Sequence, residues 1–276
     1  MSTVTSAVGS QSIAVLSPHS DDAALSLAGF LHLSAAEGCD ITIITVFSRS
    51  RRTRTGGVED DEERVTAMRK AEDHAFLASL SASATGVWCD LPDPSVRLSD
   101  EPEYWYVPVP LSPREREFIE LTADSCRRHV SRFSALLAPA GLGKNRDHLI
   151  VHEAGVRFTR ESGCRLLLYE DLPYAARMSE RELERSIGDL AERSGLFLVP
   201  RLVADRAMPL HKRSALSFYP SQMNGDIVRR VVWHSLCAGG LVTGAERLWD
   251  VRFAGAAALE GRPASDAKPE SQRSAV

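Results

Sequence analysis

Short runs of β-branched and aliphatic residues alternate with longer helix-forming stretches along this chain, and that alternation limits the possible architectures more than any other feature of the sequence. "SIAVLS" (12–17), "CDITIITVF" (39–47), "TGVWCD" (85–90), "SALLAP" (134–139) and "CRLLLYED" (164–171) read as strands. Helices are expected over Ala23–Glu37, Glu62–Leu80, Arg114–His129, Leu149–Arg160, Ser179–Ser194 and Gly225–Leu236, the first closed by Gly38 as a C-cap. Strand, helix and strand in succession build βαβ units. The expected fold is therefore α/β: a Rossmann-like, mostly parallel sheet with helices on both faces, plus a small C-terminal lobe. One α/β domain is expected over residues 12–258, of which 176–258 form a C-terminal helical lobe. Residues 1–11 and the tail 259–276 are small, polar and, in the tail, proline-containing, and are expected to be disordered.

A formal charge of −4 on 276 residues offers no basic footprint, so nucleic acid and anionic membrane surfaces are set aside as partners and a small molecule is expected. Cys39, Cys89, Cys126, Cys164 and Cys237 are scattered and form no C-x-x-C pair. They read as buried free thiols in a reducing compartment, not as a disulfide framework or a thiolate zinc site. The N-terminal stretch lacks a basic region followed by a long apolar one, and no apolar run reaches the roughly 18 residues a membrane span needs. A cytoplasmic location follows as the expectation. Composition leaves the oligomeric state open.

"LSPHSDDAALSLAG" (16–29) sets a histidine and two adjacent acids between the first strand and the helix after it. In open α/β sheets, ligands bind in the crevice beyond the carboxyl ends of the strands, which is where this loop falls. A helix N-terminus accommodates one acid as a cap or as a partner of the macrodipole. A second adjacent carboxylate repels the first unless a cation or a proton is shared. A divalent metal removes the conflict, and His19 and Asp22, three apart in a tight turn, offer two ligands of the kind zinc takes. A third should come from "GLGKNRDHLIVHEAG" (141–155), which leaves another strand at the same edge. His148 is the candidate. His152, one helical turn further on, is either another ligand or a group supporting one.

These residues resemble the motifs of the PIG-L/LmbE-like metal-dependent de-N-acetylases. Pro18-His19-Ser20-Asp21-Asp22 is similar to the family's (P/A)-H-P-D-D, and Asn145-Arg146-Asp147-His148 to its H-x-D-H. Arg69 and Glu72 in "MRKAED" match its R-x-x-E, and "LPDPSVR" (91–97) its L-P-D loop. "YEDLPYA" (169–175) recurs in one bacterial branch, and "KRSALSFYPSQ" (212–222) resembles the late K-x-x-A-L-x-x-[HY]-x-S-Q segment. Their order and spacing over residues 13–222 make the combination specific. The resemblance implies that His19, Asp22 and His148 hold Zn²⁺, with Fe²⁺ also suited to a His₂Asp set, and that Asp21 is the general base. It further implies hydrolysis of an N-acetyl group from an N-acetylglucosaminyl-type amino sugar, releasing acetate and a free amine, in the making of a small glycoside or secondary metabolite. Arg69 and Asp93 then hydrogen-bond sugar hydroxyls. Taken alone they are equally a helix-surface charge and a turn residue ahead of Pro94.

Two positions depart from the family pattern. Ser20 replaces the second proline of the first motif, and Asn145 replaces a histidine that positions or stabilises the reacting carbonyl. Asparagine donates a hydrogen bond but carries no charge and transfers no proton. Two functions therefore stay open: a deacetylase with Asn145 in a catalytic position, and a metal- or sugar-binding relative without turnover. Rival motifs are missing. "GLGKN" lacks the first glycine and the Ser or Thr of a P-loop, no G-x-G-x-x-G follows the first strand, and there is no G-x-S-x-G. "SRSRRTRTGG" (48–57) leaves the second strand at the same edge, so Arg49, Arg51, Arg52 and Arg54 can border the crevice. This is either a solvated loop balanced by "EDDEE" (59–63) or a lid whose Arg51 and Arg52 grip an anionic or polyhydroxylated aglycone.

Overall fold

Strand β1 (Ser12–Ser17) lies inside a seven-stranded sheet because it is apolar on both faces: Ile13, Ala14, Val15 and Leu16 are all buried. The computed structural model describes residues 8–54, 57–58, 61–98, 111–131 and 134–253. Parallel to β1 run β2 (Asp40–Thr45), β5 (Thr85–Trp88), β6 (Ala135–Pro139) and β7 (Arg165–Tyr169). A separate two-stranded hairpin joins β3 (Arg52–Thr53) to β4 (Gly57–Val58). With β8 (Leu196–Asp205) and β9 (Gly244–Phe253) the order across the sheet is β5-β2-β1-β6-β7-β9-β8, and β9 is antiparallel to both neighbours.

The chain moves outward from β1 through β2 in one direction and from β6 through β7 in the other. Right-handed crossovers therefore put helix α1 (Asp22–Ala36) and helix α5 (Arg146–Ser162) on opposite faces. Helix α2 (Glu62–Leu80) follows the hairpin, and α3 (Pro94–Arg97) is a single turn after β5. Helix α4 (Pro113–His129) packs along α5; α1 packs on α7 (Met208–Leu216). The boundaries have local causes. Helix α1 ends at Ala36 with Gly38 left-handed at φ 78°, and α4 opens on a capping box between Ser112 and Glu115.

Three expectations need correction. Residues 176–258 are not a helical lobe: α6 (Glu180–Ser194), α7 and α8 (Gly225–Ala238) are helices, but β8 and β9 join the main sheet. Their pattern is masked in sequence. Pro200 sits in β8, where an edge strand tolerates it, and β9 buries Glu246 and Asp250, which pair with Lys212 and with Arg165. Residues 8–11, expected to be disordered, are packed: Val8 is fully buried, its carbonyl accepts from Arg165 Nη1 at 2.6 Å, and Gln11 O accepts from Asp40 N. Cys39, Cys126 and Cys164 are buried free thiols as expected, whereas Cys89 is half-buried and Cys237 is exposed. Residues 1–7 and the tail 259–276 lie outside the described residues. Among the described residues, no helix is long and apolar enough to cross a membrane.

Candidate active site

Strand order reverses between β1 and β6, and the loops leaving these two strands meet at their carboxyl ends. The β1 loop brings His19, Asp21 and Asp22. The β6 connection brings Asn145 and His148, and it does so on a helix: α5 starts at Arg146, three residues ahead of expectation, because Asn145 Oδ1 accepts from Asp147 N at 3.0 Å and caps it. These loops floor an open cleft whose walls include Arg52, Arg69, Asp93 and Tyr174.

Potential ligand atoms of His19, Asp22 and His148 all lie within 4.8 Å of one another. Each imidazole is oriented from behind. His148 Nδ1 lies 2.6 Å from Asp171 Oδ1, and Asp171 Oδ2 accepts from Leu142 N at 3.0 Å. His19 Nε2 lies 2.8 Å from Asp147 Oδ2, and Asp147 is in turn bonded by Arg97. A carboxylate holding one ring nitrogen as N–H leaves the other as a lone pair facing the trio. The remaining nitrogen of His148, Nε2, is buried, has no hydrogen-bond partner, and stands 3.3 Å from Asp22 Oδ2. Two imidazoles, one of them with an orphaned buried nitrogen, and one carboxylate are a donor set that fits a divalent ion such as Zn²⁺ or Fe²⁺.

The electrostatics make the same demand. Burial works against a charged His19, yet its hydrogen bonds to Asp147 and Asp22 raise it to about 9. His148 is raised as well, against burial, by Asp22 and Asp171. Asp22 is held far below the usual carboxylate range despite its burial, chiefly by His148 and then His19. Three buried carboxylates thus call for positive charge between them, and a dication or two ring protons can answer.

Asp21 stands outside the trio. Burial, reinforced by the neighbouring Asp22 carboxylate, raises its pKa, while Arg69 and Arg54 oppose the rise. Arg69 Nη2 lies 3.5 Å from Asp21 Oδ1, and Nη1 donates to Ser50 Oγ at 2.9 Å and lies 3.7 Å from Asp93 Oδ2. Arg69 and Asp93 are both buried in the cleft wall, so neither is a surface charge. Glu72, the partner of Arg69 in the R-x-x-E motif, accepts from Ser221 N and Oγ at 2.8 and 2.7 Å.

The arginine segment divides in two. Arg52, in β3, and Arg54, in the turn just after it, line the cleft, whereas Arg51 is not among the residues of its wall. Arg49 pairs with Glu62 instead. The segment is pinned: Arg54 N donates to Ser221 O at 2.8 Å, and Gln222 Nε2 to Arg52 O at 3.1 Å. Residues 59–60 of the acidic run lie outside the described residues. His152 is buried with Nδ1 2.9 Å from Pro139 O and is not part of the ligand trio. Sequence reasoning missed Arg97, Asp147, Asp171 and Tyr174 as site residues, although all four sit inside quoted motifs.

A Rossmann-like sheet with a His-Asp-His trio able to hold a metal ion, and a further carboxylate beside it at the switch point, defines a class of α/β proteins. Residues 14–159 match the family model of the PIG-L GlcNAc-PI de-N-acetylases. The 2'-N-acetylparomamine deacetylase of Streptomyces fradiae is 30% identical over 254 residues, covering 90% of this chain and 84% of that one. The chain belongs to the PIG-L de-N-acetylase family. Its fold also matches the A40926 pseudoaglycone deacetylase, with a TM-score of 0.68 at 24% identity over 88% of this chain and 98% of that one. A zinc-inhibited form of teicoplanin deacetylase matches with a TM-score of 0.67 at 21% identity, over 89% and 99% of the two chains.

Proposed function

We propose that this protein is a metal-dependent deacetylase that removes the acetyl group from an N-acetylglucosaminyl-type compound in the biosynthesis of a small glycoside or antibiotic. One observation carries the reading: the trio of His19, Asp22 and His148, with its orphaned Nε2, stands beside a carboxylate, Asp21, that is raised and left outside it. The deacetylases of amino-sugar antibiotics among its relatives support the substrate class.

His19, Asp22 and His148 would hold the ion, zinc or ferrous iron, which when bound supplies a Lewis acid that acidifies water and polarises the acyl oxygen. The chain's own groups do the rest. Asp21 takes the proton of the attacking water and returns it to the departing amine, and its raised pKa suits both transfers. Arg69 holds Asp21 in place and, with Asp93, offers hydrogen bonds to the sugar. Arg52, which lines the cleft, would meet the aglycone beyond the sugar. A small diffusible substrate in the cytoplasm fits a chain in which no described helix can cross a membrane.

The alternative reading, a binding protein without turnover, draws on Asn145, whose amide cannot carry the charge of the family histidine. Acetate release from N-acetylglucosaminyl compounds with added Zn²⁺, measured against Asp21→Asn, separates the two. Turnover abolished by that substitution supports the enzyme; binding with no acetate from either protein supports the alternative.

A further inference from the structure

The side chain of Asn145 is fixed at both ends. Its Oδ1 caps α5 by accepting from Asp147 N at 3.0 Å, so the amide can face only one way, and its Nδ2 donates to Tyr174 Oη at 3.0 Å. Both residues line the cleft that holds His19, Asp21 and Asp22. A phenol oxygen that accepts from an amide keeps its own O–H as a donor, and acceptance strengthens that donation.

The ring is placed by three further contacts. It meets the His148 ring edge-on, with centroids 5.4 Å apart at 85°. It lies over Gly143, whose φ is 80° and where an added Cβ would stand 2.4 Å from Tyr174 Cγ. Any other residue at 143 would push the ring away and would be strained as well. The turn that carries Tyr174 is tied to the trio: Ala175 N donates to Asp171 O at 2.9 Å, and Asp171 also orients His148. One loop thus fixes His148 and the phenol together.

We propose that Tyr174, positioned by Asn145, donates a hydrogen bond to the carbonyl oxygen of the bound acetamide as negative charge develops there. This rests on the deacetylase reading. The pair supplies from two loops what a single histidine supplies in the family motif: Asn145 sets direction, and Tyr174 provides the donor. Tyr174 touches the reacting oxygen; Asn145 acts through it and is a positioning residue. No proton is transferred by Tyr174, because Asp21 already carries the proton from water to the amine.

The test uses the Zn²⁺-loaded full chain with three probes: N-acetylglucosamine, glucosamine, and an analogue with a tetrahedral methylphosphonamidate in place of the acetamide. Removing one donor to an oxyanion lowers kcat by a factor on the order of 100. Tyr174→Phe, which keeps the ring and its packing, should lower kcat by ~30–300-fold and weaken the tetrahedral analogue by a similar factor. Glucosamine affinity and zinc content should stay within about twofold of the parent, since neither uses the phenol O–H. Asn145→Ser retains the helix cap and loses the reach to Tyr174. It should lower kcat less, and add little when combined with Tyr174→Phe. Equal weakening of the analogue and of glucosamine, a kcat within threefold of the parent, or additive losses in the double variant would overturn the proposal. A parent that releases no acetate counts against the deacetylase reading, and the comparison of analogue with glucosamine still decides the role of Tyr174.

Discussion

Lys212 Nζ lies 2.8 Å from Glu246 Oε1, and this buried pair is inserted into the backbone of helix α1. Glu246 accepts from Gly29 N and Phe30 N at 3.0 and 2.7 Å, while Lys212 donates to Leu25 O and Ser26 O at 2.7 and 3.2 Å. Those four backbone groups are the partners of two successive i to i+4 positions, so the ion pair bonds to the helix ladder itself. Helix α1 begins at Asp22, and the pair therefore fastens the element bearing a proposed ligand to strand β9. Lys212→Met should cost about 3–5 kcal/mol in urea unfolding, because it strands a buried carboxylate. Lys212→Met with Glu246→Leu should recover most of that loss, as the four groups can pair with one another. A double variant as unstable as the sum of its parts would refute the inserted-pair account.

The two adjacent acids of the first loop have separate tasks. Asp22 belongs to the His19 and His148 trio, whereas Asp21 is held by Arg69. Asp22→Ala should lose bound metal along with turnover, and chelation should do the same to the parent. Asp21→Asn should retain metal and lose at least about 100-fold in kcat, the scale of general acid–base catalysis. Metal analysis after gel filtration checks this directly; equal metal loss in both variants would contradict the division.

The parallel sheet and the His19–Asp22 half of the trio were legible because they follow from residues close in sequence. The apolar strands announce themselves, and a strand followed by His19 and Asp22 places the crevice before any tertiary contact is known. His148 is reachable by topology, because a second strand must end at the same edge. What could not be read depends on pairings far apart in the chain. Glu246 and Asp250 look like surface charges until Lys212 and Arg165 are seen beside them, and so β9 does not look like a strand. Arg97 reaches Asp147 across 50 residues, and Asp171 reaches His148 across 23, which no local pattern records. Arg51 and Arg52 are indistinguishable in sequence, and only the folded cleft separates them.

Asp73 gives the fold a pH dependence. It is buried, accepts from Trp88 Nε1, Tyr219 Oη and Thr45 Oγ1, and is raised by burial from 3.8 to about 6 in spite of those bonds. The folded state therefore holds this proton more tightly than the unfolded chain. Its contribution is full below pH ~4, declines as pH rises, and is gone above the folded value of about 6. The difference corresponds to roughly 3 kcal/mol. Asp73→Asn lacks the titration, so the stability gap between parent and variant should be widest near pH 4 and shrink by about that amount towards pH 7. Urea midpoints across this range provide the measurement, and a gap that stays constant or widens with pH would show that Asp73 is not the group responsible.

Arg52 and Arg54 define the last expectation, which concerns what lies beyond the sugar. Their backbones are held by Ser221 and Gln222, Ser221 is held by Glu72, and both side chains face the cleft, so they are presented from a pinned strand. A guanidinium fork matches carboxylate and phosphate oxygens, and a hydrogen bond to a charged group contributes about 1.5–3 kcal/mol. Arg52→Gln should thus raise KM by ~10–100-fold for an N-acetylglucosaminyl compound with an anionic aglycone, and by less than about twofold for free N-acetylglucosamine. The effect should diminish with added salt, since the rim of the cleft is open to solvent. Arg51→Gln serves as the control on the neighbouring residue, because Arg51 is absent from the cleft wall, and it should leave both substrates unaffected. Equal KM changes for the two substrates in Arg52→Gln, or a response to Arg51→Gln as large as that to Arg52→Gln, would mean that the strand shapes the cleft without reading the aglycone.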